Sequence, residues 1–521
     1  MSKIKYSEIF TSPVFPGNLY RPLLISSYKA TYNLFGTDPY FFHFTNVSLH
    51  TIICLLILMF LSRLVGFTVA FWTTLLFALH PIHVEAVASI SGRSELLCHL
   101  FGMLYLLFIV EEPKNNSSKN IFQKNFIGFG LLLCALLSKE SGFSYLLLAP
   151  LAIHFAKNDQ NETWRSFGIG SALAIIFYLF LRCNALGDLF APGYIPNFLD
   201  NPLASIPIAP RLITAISLLT KYIGLILFPI ELSSDYAFAK ITPISSLENK
   251  DFWIAVLILL FGIFFSISKI KQRDLLSFVF LWFFGSALII SNLFFATGTI
   301  FAERLMYLPS LGICLFLVYL VNKSPFPRLS NTALLLLALA YGAKTFAYNQ
   351  VWKNHDSLFT YEILNSPRSA KVQLNYSTLL RIKGDLDSAK IHIGNALTLY
   401  PNLADAWYGL ALIANSEKDF PRARESLEKA LVISPNHPLA LYELGVYEFN
   451  AGYTDKADDL FLKILNDNPH SFYGKLGHMS ALIRKGQIVE AQTLYQELWY
   501  REPGNKDLVS LKKQMKSEKI K

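Results

Sequence analysis

The sequence predicts an all-α protein in two parts: a polytopic transmembrane helical bundle, then a solenoid of helical repeats. Two observations predict it. From about residue 41 to 347, apolar residues come in blocks of roughly 16–22, near the ~20 a helix needs to cross hydrocarbon. After about residue 350 the chain turns polar and periodic. A chain of 521 residues that is 53% hydrophobic and 16% charged is too apolar for an ordinary soluble protein, and the apolarity is unevenly spread.

Taken in order, residues 1–40 read as the end of an extracytoplasmic loop and 41–348 as the membrane domain. Spans are expected near 41–62, 65–83, 95–110, 126–138, 142–157, 167–185, 252–269, 275–296, 305–322 and 332–348. The block 211–230 is apolar but ends in FPIELSSDY, which reads as re-entrant or interfacial rather than crossing. A connecting helix is expected over 349–367.

Prolines then fall at 367, 401, 435, 469 and 503, and alanines at 389, 423, 457 and 491, always 34 apart. Two residue types in one period mark the tetratricopeptide helix–turn–helix repeat, whose small alanines admit close helix approach. Four repeats over 368–503 precede a capping helix and basic tail at 504–521. Such a solenoid offers a groove for a peptide or partner and carries no catalytic group.

Charge placement sets the expected sidedness. Arg63, the group Lys114, Lys119 and Lys124, then Lys157 and Arg165, then Lys269, Lys271 and Arg273, and finally Lys323 and Arg328 occupy alternate connections. The positive-inside rule makes these cytoplasmic, which places the repeats in a bacterial periplasm or an endoplasmic reticulum lumen. The net charge of +9 comes with no basic stripe interleaved with aromatics, so nucleic acid is excluded as a partner. The five cysteines all lie in or beside apolar blocks with no zinc-site spacing, so disulfides are expected to play no part. Sequons at Asn46, Asn116, Asn161 and Asn375 discriminate nothing, because two fall in connections read as cytoplasmic.

With that sidedness, polar stretches gather on the extracytoplasmic face. HPIHVEAVASISGRSELL (80–97) brings His80, His83, Glu85 and Arg93; LLSKESG brings Lys139 and Glu140; FAERLMYLPS brings Glu303 and Arg304. Arg182, Asp188 and Asp235 join them. Ionisable groups at membrane depth are costly and mark a pathway or site, so a polar, ligand-sized cavity is expected. Arg93, Lys139 and Arg304 suit a lipid-linked phosphate, arginine as a planar fork and lysine as a point charge. Glu140 and Glu303 lie beside them to hold the cations, and the same groups read equally as structural ion pairs. His80 and His83 share a helix face with Glu85 nearby, so a divalent cation assisting phosphate chemistry is the metal reading of this stretch. Pro81 sits at a helix boundary and no second ligand cluster is visible, so no metal ligands are assigned. Hydrogen bonding between loops at a membrane surface is the plainer account of the same residues.

RPL at 21–23, LFALHPIHVEAVASISGR, LLSKESG, LFPIELSSDY, FAERLMYLPSLG and VWKNHDSLF, in that order and leading into the repeats, resemble the transmembrane and tetratricopeptide-repeat O-mannosyltransferase family and its bacterial relatives. Each motif is weak alone, and the ordered set covers about residues 13–503. The resemblance implies a C-type glycosyltransferase fold that takes a sugar, mannose in the eukaryotic members, from a polyprenyl phosphate to Ser or Thr hydroxyls of a protein. Arg93, Lys139 and Arg304 would contact the donor phosphate; His80, His83, Glu303 and Asp235 would shape the cavity. Acceptor protein or peptide would be held by the repeats. Family members begin with a further helix and a loop bearing an acidic pair, whereas this sequence starts MSKIKYSEIFTSPVF, which resembles the end of that loop. The expected base therefore lies upstream of Met1, or is lost in a degenerate member; within this sequence Glu85 and Glu140 are the substitutes. A non-catalytic membrane-anchored scaffold is the alternative. A transporter is disfavoured, since neither an inverted repeat nor paired broken helices are visible.

Overall fold

The computed structural model describes residues 6–11, 19–111, 118–156, 161–187 and 197–518. Asp188, Lys114, Lys157 and Asn116 lie outside them. Among the described residues the structure is helical, with no strand. It divides into two compact units, residues 1–365 and 366–521.

The first unit contains α1 (Pro22–Phe35), α2 (Pro39–Val65), α3 (Phe67–Ala78), α4 (Arg93–Val110), α5 (Ser118–Ser138), α6 (Tyr145–Phe155), α7 (Asn161–Leu186), α8 (Ile208–Leu227), α9 (Lys250–Lys269), α10 (Leu275–Ala287), α11 (Ser310–Asn322), α12 (Pro327–Val351) and α13 (His355–Asn365). Its starts are set by side-chain caps: Asp38 accepts from Tyr40 N, Asn249 from Phe252 N, and Asp274 from Leu276 N and Ser277 N. Gly66, at φ +79°, makes the tight turn between α2 and α3, a conformation a side chain resists. The core gathers around Trp282, Phe60 and Phe278, with the Trp282 indole donating to the Leu308 carbonyl at 3.2 Å. At Gly102 an added Cβ would fall 1.9 Å from the Tyr145 ring, so α4 and α6 pack only because that residue is glycine.

Among the described residues, five helical segments are long and apolar enough to cross a membrane: Pro39–Val65, Ile90–Val110, Thr163–Leu186, Ile208–Leu227 and Lys250–Gln272. A sixth is the pair Phe67–Ala78 and Pro81–Ala88, bent by 53°. On α9 the side chains of Leu257, Leu260, Phe261, Phe264 and Ile267 are exposed, a face that water would penalise and acyl chains would cover. The protein is a membrane protein.

The structure changes several expected boundaries. The expected span 65–83 breaks where His80 and Pro81 interrupt the helix, because proline lacks the N–H that would continue it. Residues expected as a loop end contain α1, which starts on Pro22 and buries Leu24 and Ile25. The expected span 332–348 lies inside α12, which is not among the segments passing the length and apolarity test. The expected connecting helix over 349–367 is divided between the end of α12 and α13. The block 211–230 forms α8, long enough to cross; Thr214 accepts from Ile244 N in the following loop at 2.8 Å, and Ile226 O accepts from His80 in the α3–α4 connection and from Tyr341 on α12.

The second unit is four helix pairs, Ala370–Lys383 with Leu386–Leu399, Ala404–Ser416 with Phe420–Ile433, Pro438–Asn450 with Thr454–Asp467, and Phe472–Arg484 with Ile488–Arg501. Ala389, Ala423, Ala457 and Ala491 are all fully buried. Lys506–Glu518 closes the stack by burying Leu508, Leu511 and Met515.

Candidate functional site

The loops joining α3 to α4, α8 to α9 and α10 to α11 are bonded through Glu85 and Glu303, and the loop joining α5 to α6 bonds to Arg21, to Glu95 on α4 and to Ser286 on α10. Three carboxylate–cation pairs lie there, and each joins segments distant in sequence. Glu85, on a short helix inside the bent segment, accepts from the Arg304 backbone N–H at 2.9 Å and pairs with the Arg304 guanidinium. Lys139 pairs with Glu95, which also faces His99 Nε2 at 3.4 Å. Arg21 donates Nε and Nη2 to Glu140 Oε2 at 3.0 and 2.7 Å, and Arg182 lies 3.9 Å from the other oxygen. Lys139 is within electrostatic reach of both Arg21 and Arg304, which makes the three pairs one cluster.

Exposure separates their roles. Glu95 is 2% exposed and Glu85 4%, whereas Glu140 is 32% and Arg304 37% exposed. Arg304 commits Nη1 to Glu85, and the rest of its fork faces outward. Glu140 Oε1 is enclosed, with Arg182 at 3.9 Å and no hydrogen-bond partner. The mouth therefore offers one half-exposed guanidinium and one carboxylate with an unbonded oxygen, backed by one closed pair.

Arg93 is placed elsewhere. Its guanidinium is sealed by Asn46 Oδ1, Thr31 Oγ1 and the Ser27 and Phe42 carbonyls, and it stacks 4.9 Å from the Tyr28 ring. With all three guanidinium nitrogens bonded within the fold and the side chain fully buried, Arg93 ties α1 and α2 to α4 instead of meeting a phosphate. Asn46, buried in the same knot, is closed to glycan addition. Correcting the histidine reading, His80 spends both ring nitrogens, Nε2 on the Ile226 carbonyl and Nδ1 on the Ile82 N–H. His83 meets Ser310 Oγ at 2.9 Å and packs on Tyr307, as do His50 and His99. Among the described residues no group of His, Cys, Asp or Glu could hold a metal. The histidines form an aromatic wall around Tyr307.

Glu303 is fully buried beside the cluster. Its Oε1 accepts from Ser233 N at 2.5 Å and Tyr236 Oη at 2.6 Å, and Oε2 has no partner. Burial, then the Glu85 charge, pushes its carboxyl well above the usual range. Burial also raises Glu362, on α13, which accepts from Ser233 Oγ and Ser234 N at 2.6 Å. Asp235 accepts from Ala237 N and shapes the turn between them.

Sequence reasoning selected Glu85, Lys139, Glu140, Glu303 and Arg304, and the structure brings them together. It missed Arg21, Glu95, His99 and Glu362. Glu95 and His99 had a visible signal, an acid and a histidine at i, i+4 inside an apolar run. Arg21 sits in the RPL motif; Glu362 gave none.

Known proteins resemble the chain as follows. The tetratricopeptide-repeat family profile matches residues 404–437. Protein O-mannosyl-transferase TMTC1 of Homo sapiens is 28% identical over 442 residues, 76% of this chain and 49% of that protein. Protein O-mannosyl-transferase TMTC3 of Homo sapiens is 24% identical over 532 residues, 94% of this chain and 58% of that protein. Protein O-mannosyl-transferase F38B6.6 of Caenorhabditis elegans is 28% identical over 394 residues, 74% of this chain and 54% of that protein. The chain thus spans about half the length of the curated relatives it matches. Among solved structures, the tetratricopeptide-repeat protein YrrB overlaps 31% of this chain and 92% of its own, at 18% identity and a TM-score of 0.25.

Proposed function

We propose that the chain is a membrane glycosyltransferase that moves a sugar, mannose, from a polyprenyl phosphate to Ser or Thr hydroxyls of a protein on the extracytoplasmic side. The observation that carries this reading is the convergence of three carboxylate–cation pairs on one mouth, one with a half-exposed guanidinium and one with a carboxylate oxygen left without a hydrogen-bond partner. Relatives named protein O-mannosyl-transferases support it.

The chemistry needs a place for a leaving phosphate and a proton acceptor. Arg304 meets the phosphate oxygens with its free fork, and Arg21 adds a second cation. Lys139 supports them from behind, held by Glu95. Glu140 takes the proton from the acceptor hydroxyl, whose oxygen bonds the anomeric carbon as the carbon–oxygen bond to phosphate breaks. Negative charge then grows on the phosphate, where fixed cations stabilise it most. Glu85 orients Arg304 and is too enclosed to reach an acceptor. The repeats hold the acceptor segment.

The test is transfer of labelled mannose from polyprenyl phosphate to a Ser/Thr peptide by the purified full chain. Wild type transfers; Glu140→Gln, which keeps a partner for Arg21, loses about 10²–10⁴-fold in kcat. Arg304→Ala loses about 10²–10³-fold. A wild type that transfers nothing, with no sugar donor bound, leaves the membrane-anchored scaffold as the reading.

A further inference from the structure

We propose that the first helices of the repeats form a receptor for one lysine or arginine side chain of a bound protein segment, built from Tyr408, Tyr442, Tyr473 and Glu443. This deepens the reading of the repeats as the holder of the acceptor, and it names the chemistry they select.

The 34-residue period puts Tyr408 and Tyr442 at the same place on successive first helices, Ala404–Ser416 and Pro438–Asn450. Tyr473 opens the next first helix, Phe472–Arg484, three residues before the equivalent position and so one turn earlier on the same face. The Tyr442 and Tyr473 rings lie 5.1 Å apart at 52°, and Tyr473 is 47% exposed. Tyr408 is within electrostatic reach of Tyr473, so the three rings gather from three repeats. Tyr408 packs on His437 at 5.4 Å, and His437 Nε2 meets Asp405 at 3.0 Å. Tyr442 packs on Phe461 at 5.8 Å. These contacts fix two of the three rings before any ligand arrives.

Glu443, next to Tyr442, supplies the charge. It is half-buried, and its charge reaches the hydroxyls of Tyr408, Tyr442 and Tyr447. Burial raises its carboxyl above the ordinary value, yet among the described residues it has no hydrogen-bond or ion-pair partner. Other enclosed acids of the repeats are paired: Glu448 with Arg424, and Asp458 with His478 and Lys485. A partly desolvated carboxylate without a counter-charge is costly, and only a positive group relieves it. Asp507 also reaches Tyr442, whereas Arg381 reaches Tyr408 and makes no ion pair with Glu443. Tyrosine faces beside a carboxylate attract a cation through ring quadrupole and charge together, and they also cover the aliphatic stem that carries it. An acidic segment would be repelled, and a neutral one would leave Glu443 unrelieved.

Two experiments test the proposal on the purified full chain. In the first, fluorescent Ser/Thr dodecapeptides differ only at one central residue: lysine, arginine, norleucine or glutamate. The lysine and arginine peptides are expected to bind at least about tenfold tighter than the norleucine peptide, and the glutamate peptide most weakly. Glu443→Gln should abolish that preference and Tyr442→Leu should reduce it. Equal affinity for the four peptides, tighter binding of norleucine or glutamate, or a preference unchanged in Glu443→Gln overturns the proposal. In the second, a carbodiimide couples the lysine peptide to wild type, and the joined carboxylate is mapped by mass spectrometry. Coupling is expected at Glu443; coupling only at other carboxylates overturns the proposal even where the variants fail to fold. Neither readout needs a sugar donor. A lysine preference without mannose transfer therefore removes the transferase reading and leaves the receptor, whereas transfer at equal kcat/KM to lysine and norleucine peptides removes the receptor and leaves the transferase.

Discussion

Replacing Lys139 with methionine should unfold the membrane unit far more readily than replacing Lys139 and Glu95 together. The Lys139 and Glu95 side chains are 10% and 2% exposed, and they pair directly. Lys139→Met keeps the aliphatic volume but leaves the Glu95 carboxylate enclosed, with only Ser141 Oγ and His99 Nε2, both at 3.4 Å, in reach. Stranding one member of a buried pair costs about 3–5 kcal/mol, because the remaining charge keeps its desolvation cost without its counter-charge. In Lys139→Met/Glu95→Gln that stranded charge is gone, and the introduced amide can still reach Ser141, so the double variant should lose only about 1–2 kcal/mol. The coupling energy is then at least about 2 kcal/mol, within the range measured for neighbouring residues. A thiol-reactive dye followed on heating reads this unit alone, since all five cysteines lie in it and Cys98 sits against Lys139 O and Ser141 Oγ. Additive effects of the two single changes, within about 0.5 kcal/mol, would mean that the pair is not mutually dependent and would refute the closed-pair reading.

Further outcomes follow from single positions. Glu303 has its carboxyl raised above the ordinary 4.5 in the folded state, so its contribution is fully present below pH 4.5 and is lost as pH rises through the raised value. Glu303→Gln should flatten that loss, and equal pH slopes for variant and wild type in the thiol-dye assay would reject it. Gly477→Ala should destabilise the repeats by about 1–3 kcal/mol, since its Cβ would lie 2.3 Å from Phe461 Cδ1 in a fully packed layer; hydrogen exchange over Phe472–Arg484 should accelerate accordingly. Lys418 adopts φ +64° where the equivalent turns carry Gly384, Gly452 and Gly486. Lys418→Gly relieves about 1–2 kcal/mol of left-handed strain against about 0.5–1 kcal/mol of glycine entropy, so exchange over Ala404–Ile433 should slow by roughly 2–5-fold.

What the sequence made legible divides along physical lines. The repeats were readable to the residue because a 34-residue period fixes which alanines pack, and those four alanines are fully buried. The two-part helical architecture was readable because hydrocarbon imposes a length on apolar helices. Membership of the charged mouth was largely readable from the rule that ionisable groups at membrane depth are retained for a reason. Which cation stays open was not. Arg93 and Arg304 look alike in sequence, and only packing of α1 and α2 over one and solvent at the other separates them. The roles of Arg21, which lies in the RPL motif, and of Glu362, which carried no signal, were unreadable for a related reason: their meaning comes from partners 119 and 129 residues away in sequence, Glu140 and Ser233. The bonds of α8 at Thr214 and Ile226 join residues 30, 146 and 115 apart in sequence, which no hydropathy pattern carries.

The pairing of cations at the mouth bears on how it could serve a charged donor. Arg21, Arg182, Lys139 and Arg304 face Glu85, Glu95 and Glu140, an excess of one positive charge, while Glu303 is held toward its neutral form. A sugar on a polyprenyl phosphate is a phosphodiester with a single negative charge, so the resting mouth and the donor balance. In the proposed transfer, the leaving phosphate would gain a second charge and the base a proton. With Glu140 as that base, the protein side gains one positive charge at the moment the lipid side gains one negative charge. No ion need enter or leave an enclosed site for the two to remain matched, and fixed charges impose no reorganisation as the bond breaks. An unpaired cluster of four cations would bind the product more strongly than the donor and hold it. Pairing three of them with carboxylates, one of which keeps an oxygen without a hydrogen-bond partner, would keep the attraction matched to each state of the proposed reaction in turn.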